Sequence, residues 1–130
     1  MYHAETNDIH VTVMPVYIDE RSDPDAGRHF WAYRVVIENA GTKTVKLISR
    51  YWHITDANGR VEEVAGEGVV GEQPVLKPGE SFEYTSGCPL EAESGFMQGS
   101  YTMTDMRGFE FEVEIPAFPL DLPDLAPSIN

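Results

Sequence analysis

Apolar and polar residues alternate along this chain with a period of two. Ile9, Val11 and Val13 alternate with His10 and Thr12, the signature of a half-buried strand that Pro15 then ends or turns into an edge. Phe30–Asn39 (FWAYRVVIEN) is apolar on both sides in places, which predicts a long central strand. Thr44–Thr55 (TVKLISRYWHIT) predicts a second. Asp56-Ala57-Asn58-Gly59 reads as a hairpin turn, with Gly59 supplying the positive φ, and Val61–Val64 returns as a short strand. Lys77-Pro78-Gly79-Glu80 carries a turn signature ahead of a short strand at Ser81–Ser86. Gly99–Asp105 and Phe109–Ile115 form a hairpin across Met106-Arg107-Gly108. In it Phe109, Phe111, Val113 and Ile115 point inward, and Glu110, Glu112 and Glu114 point out. No segment sustains the i, i+3, i+4 spacing of an amphipathic helix, so little helix is expected.

About seven or more short strands with turn signals between them predict an all-β chain, an antiparallel β-sandwich, with a barrel as the competitor. Its sheets would enclose Trp31, Tyr33, Val35, Ile37, Leu47, Trp52, Phe82, Tyr101 and Phe111. The 130 residues make one domain, 1–130, with a proline-rich, extended tail from about residue 116. A chain of this size buries roughly two-thirds of its unfolded surface, enough for a core without staples. A lone cysteine, Cys88, rules out an internal disulfide framework and fits a reducing compartment. The polar start MYHAETNDIH is not a secretory leader, and no apolar run approaches the ~20 residues of a membrane span. The expectation is a cytoplasmic protein with no membrane insertion.

Charge narrows the partners. Twenty-two acidic against nine basic residues give a formal net charge of −13. That field repels nucleic acid and anionic membrane surfaces. Two features could nevertheless carry chemistry. Gly66-Glu67-Gly68-Val69-Val70-Gly71 matches G-x-G-x-x-G, so Gly66, Gly68 and Gly71 are candidate ligand-binding residues for a nucleotide or pyrophosphate. A phosphate cradle of this kind needs a helix after the glycines, whose first amides hold the anion. Here Glu72, Gln73 and Pro74 follow, Glu62, Glu63, Glu67 and Glu72 crowd the segment, and no Lys or Arg lies between Arg60 and Lys77. A structural loop crossing between strands is the favoured reading. Arg50 and Trp52, which share one strand face, are the candidate interaction-surface residues, set against a structural role that includes a cation–π pair.

Other chemistry is thinly supported. His3, His10, His29 and His53 lack ligand spacing, and Asp19, Glu20, Asp23 and Asp25 lack the order of a calcium loop, so they read as a solvated, mobile loop. No metal site and no cofactor are expected. There is no Gly-x-Ser-x-Gly elbow and no readable partner for any serine, so no catalytic residue is assigned and the chain is not expected to be an enzyme.

Five stretches resemble the ApaG family: Phe30–Asn39; Leu47–Gly59 (LISRYWHITDANG); Val64–Gly87, with GEGVVGEQP followed by PGE and FEYTSG; Gly95–Met103; and Ile115–Leu120. The resemblance covers nearly the whole chain. It implies a fibronectin type III-like sandwich, an association with cobalt and magnesium efflux, and, by similarity to domains of eukaryotic F-box and polymerase-interacting proteins, a protein-binding role. The expected partner is therefore another protein chain, a second copy of this one included. The family supplies no catalytic residues to carry over.

Overall fold

The structure is a computed structural model in which residues 1–123 are described. Nine strands account for most of it: β1 (Tyr2–Thr6), β2 (Ile9–Tyr17), β3 (His29–Asn39), β4 (Val45–Asp56), β5 (Val61–Glu67), β6 (Val75–Leu76), β7 (Ser81–Leu90), β8 (Gly95–Asp105) and β9 (Glu110–Leu120). Two 3-10 turns, Asp19–Arg21 and Pro24–Ala26, are the helical elements among the described residues. The strands form two antiparallel sheets, β1-β2-β3-β7 and β5-β4-β8-β9, with β6 also paired to β4. This is the antiparallel sandwich that the alternation predicts, of the immunoglobulin-like, fibronectin type III-like kind that the family resemblance implies.

Strand alternation builds the core directly. In β3 every second residue from His29 to Asn39 is buried, the others facing out. Trp31, Tyr33, Val35, Ile37, Leu47, Trp52 and Tyr101 are buried as expected. Phe82 and Phe111 instead pack half-buried against the core. Phe109 faces solvent, 66% exposed, contrary to its expected inward position. It precedes β9, where its amide caps the turn by donating to Asp105 Oδ1 at 3.0 Å. The outward glutamates of β9 are exposed as expected.

Pro15 does not end its strand. β2 continues to Tyr17, because β1 pairs only as far as Val13 and Pro15 lies beyond that pairing. β9 likewise runs through Pro116 and Pro119, tolerated on an outer strand of its sheet. Residues 124–130 of the expected tail lie outside the described residues. β1 and β6 were not legible in the alternation, since each is short and polar or proline-flanked.

One side of the sandwich is closed. β9 packs against β1 and β2, with the Glu114 amide donating to Thr6 Oγ1 at 3.1 Å and Tyr2 6.2 Å from Phe118 between ring centres. On the other side the sheet edges are β5 and β7, and a seam runs between them.

Candidate functional site

The glycine segment spends its backbone on the fold. β5 pairs with β4 from Val61 to Glu67, and β6 pairs with the start of the same strand, so the connection stays along one edge of β4 rather than crossing between strands. It loops over a bulge in β4 at Ile48. The Gly68 amide and the Gln73 side-chain amide both donate to Ile48 O at 2.8 Å. Val69 and Glu72 exchange amide–carbonyl bonds at 2.8 and 2.9 Å, and the Val69 side chain is fully buried. Gly68 at φ 64° and Gly71 at φ 82° take the left-handed corners. An anion nest needs convergent free amides. Here those of Gly68, Val69 and Glu72 are bonded within the protein.

Arg50 completes this stitching. Its Nη1 donates to the carbonyls of Glu67 at 3.1 Å and Gly68 at 3.0 Å, and its guanidinium lies over Gly66, where a Cβ would come within 3.0 Å. Arg50 and Trp52 do share a strand face, but they form no cation–π pair. The cation–π contact among the described residues is Arg21 over Phe30, 4.4 Å from the ring centre. Trp52 is a core residue, edge-on to Tyr33 at 5.3 Å and to Phe118 at 6.0 Å.

Next to Arg50 lies a buried phenol cluster. Tyr84 and Tyr101 share a hydrogen bond of 2.5 Å, and Tyr33 pairs with Ser86 across the β3–β7 ladder. Burial raises all three phenols above their usual 10.0. It also pushes the Cys88 thiol from 9.0 up to about 12, with the nearby Glu62 charge adding to the effect. All four groups are neutral in the fold and ionise more readily once unfolded. Above pH 9 to 10 the unfolded chain therefore binds fewer protons, and stability falls as pH rises. Each group lost this way costs about 1.4 kcal/mol per pH unit in that range. Tyr33→Phe, Tyr84→Phe and Cys88→Ser should each make the alkaline fall in melting temperature shallower. Equal slopes in all variants would show that these groups do not carry it.

The seam itself is where side chains converge. Its floor is Tyr33, Trp52, Ile54 and Met97; Glu62 and Val64 of β5 form one wall, and Ser86 to Pro89 of β7 the other. This part measures about 190 Å³. It continues, through Ile54, Glu62 and Pro89, into a cleft of about 340 Å³ at the end of the sandwich. There Arg21, Arg28 and Arg60, three of the chain's nine basic residues, meet His29, Asp56 and Glu91. Their sequence separation hides them: they come from the β2–β3 loop, the β4–β5 turn and the end of β7. The available signal was that Arg21 and Arg28 interrupt an acidic run, which reads as dilution of charge when only the loop is considered.

That loop is not a loose solvated segment. The Asp23 amide donates to Arg28 O at 2.7 Å, the Arg28 amide to Asp23 O at 3.0 Å, and Ser22 bridges Ile18 O and the Phe30 amide at 2.8 and 3.0 Å. Of the histidines, His3 and His10 sit together on the outer face, 3.2 Å between ring nitrogens, while His29 is buried at 5% exposure. No cluster of three metal-ligating side chains occurs among the described residues. No helix there is long and apolar enough to cross a membrane.

Comparison with known proteins places this geometry. The model of the ApaG domain matches residues 19–105. Protein ApaG of Allorhizobium ampelinum is 58% identical over 130 residues, covering all of both chains, and that of Mesorhizobium japonicum is 55% identical over the same span. The crystal structure of an ApaA protein from Bordetella pertussis is similar at a TM-score of 0.88 and 50% identity, covering 90% of this chain and 95% of that one.

Proposed function

The chain belongs to the ApaG family, and from that premise we propose that it is a non-enzymatic protein-binding module of the cytoplasm whose partner docks along the β5–β7 seam. One observation carries the reading: the sandwich is sealed by β9 on one side and left open on the other, where two unpaired strand edges flank a groove. An extended segment can add to such an edge through its backbone while its side chains fill the groove. Trp52 and Ile54 give the groove an apolar floor, and arginines stand at its end. Arginine and aromatic residues in that arrangement suit a partner of opposite charge at that point.

The chemistry around the seam supports binding over catalysis. The Cys88 thiol is held neutral by burial, which removes its nucleophilicity. Among the described residues no serine or cysteine is hydrogen-bonded to a histidine. A link to cobalt and magnesium homeostasis would then run through the partner rather than through this chain.

A photo-crosslinking residue placed at Glu62 or Pro89 in the source cell, with Thr12 and Val36 on the outer face of the β1-β2-β3-β7 sheet as controls, tests the reading. Discrete protein adducts from the seam positions alone are the expected result. Adducts equally strong from Thr12 and Val36, or none from the seam, would overturn it.

A further inference from the structure

The cleft at the end of the seam, whose arginines a docked partner would also meet, has a chemistry suited to a smaller ligand. Its basic groups are all guanidinium forks or imidazole, the groups best suited to oxyanions. Arg60 is committed to Glu91 at 3.1 Å. Arg21 and Arg28 form no ion pair among the described residues. Arg21 is steadied over the Phe30 ring, and Arg28 is fixed at its backbone by the paired bonds to Asp23. The acids of the cleft are partly spent: Asp56 Oδ1 accepts the amides of Asn58 and Arg60 at 2.9 and 3.0 Å, and Glu91 holds Arg60. Glu62 also lines the cleft, at its junction with the seam.

His29 supplies the second, independent observation. It is 95% buried yet lines this cleft. Its Nδ1 is engaged by the Tyr17 hydroxyl at 2.9 Å, and its Nε2 has no hydrogen-bond partner among the described residues. A buried polar atom left unpaired costs about 1–3 kcal/mol, so such an atom on a residue that lines a cavity points to a ligand or water there. Beside it, Phe30, Ile54, Pro89 and Leu90 give the cleft apolar walls, and its volume of about 340 Å³ exceeds that of a bare oxyanion.

We propose that this cleft binds a phosphoryl group, held by Arg21, Arg28 and His29 Nε2, and that the group is carried by a small molecule with an apolar body or arrives as free orthophosphate. The site lies at the opposite end of β5 from the glycine segment, which takes no part in it. The anion is recognised by side chains, so the bonded amides of the glycine loop are no obstacle.

Titration of the full chain, followed by amide nuclear magnetic resonance at constant ionic strength, tests this with phenyl phosphate and inorganic phosphate as probes and acetate as control. Saturable shifts at Arg28, His29 and neighbouring amides are expected, with a Kd of about 1 mM or tighter for phenyl phosphate. Arg28→Gln and Arg21→Gln should each weaken binding about tenfold, and Arg34→Gln, on the outer face, should leave it unchanged. Melting curves establish that each variant is folded. Equal affinity for both phosphates assigns the site to orthophosphate, and tighter phenyl phosphate assigns it to an organic monoester; either supports the proposal. Non-saturating shifts spread over Lys43, Lys77 and Arg107, equal binding of acetate, or Arg28→Gln and Arg21→Gln variants that bind as well as the parent would overturn it.

Discussion

Trp52→Ala is expected to cost about 3–5 kcal/mol, lowering the melting temperature by roughly 10–20 °C. The indole is 3% exposed and wedged between Tyr33 and Phe118, edge-on to both rings. Truncation would leave a void beneath the seam between Tyr33 of β3 and Phe118 of β9, strands held in place by their own ladders. The loss is then transfer free energy plus an unfilled void. A tryptophan serving as an interface anchor behaves differently: removing it leaves stability within about 0.5 kcal/mol and abolishes binding. Thermal and denaturant unfolding of the variant decide between these roles. An unchanged melting temperature would contradict the core assignment.

Gly68→Ala should cost about 2–5 kcal/mol. Roughly 1–2 kcal/mol comes from placing a side chain at a left-handed φ of 64°. A further 1–3 kcal/mol, roughly, comes from steric conflict, since its Cβ would lie 2.2 Å from the Glu72 carbonyl oxygen. Gly71→Ala is the built-in comparison. It pays the backbone cost at φ 82° but meets nothing within 4 Å, so only about 1–2 kcal/mol is expected. A phosphate cradle would give another pattern, with both variants stable and both defective toward nucleotide. Two variants of equal, near-parental stability would contradict the structural account of the loop.

These contrasts show which parts of the molecule the chain discloses. The sandwich was legible because burial in a strand repeats every second residue: β3 keeps that rhythm over all eleven residues, and β4 and β9 keep it on either side of one change of phase each. Phe109 broke the rule because the turn, not the apolar pattern, decides where β9 begins. The glycine motif was legible as a poor phosphate site from its missing helix and its glutamates. Its actual task, covering a bulge in β4 with Arg50 as the clasp, depends on pairing between segments seventeen or more residues apart. Arg50 was singled out for a surface role beside Trp52, whereas its guanidinium bonds the Glu67 and Gly68 carbonyls, partners that the alternation does not disclose. The cleft of Arg21, Arg28, His29 and Arg60 left no signal beyond two arginines interrupting an acidic run, because three separate connections meet there only after both sheets have formed.

The most direct test of the open seam as the working surface is amide hydrogen exchange on the complex isolated by crosslinking from Glu62 or Pro89. The docking account predicts that amides along the outer edges of β5 and β7 slow by about tenfold or more on complex formation, while the sealed side, where β9 meets β1 and β2, exchanges as in the free protein. Unchanged exchange along β5 and β7, with new protection on the outer face of β1 and β2, would contradict it.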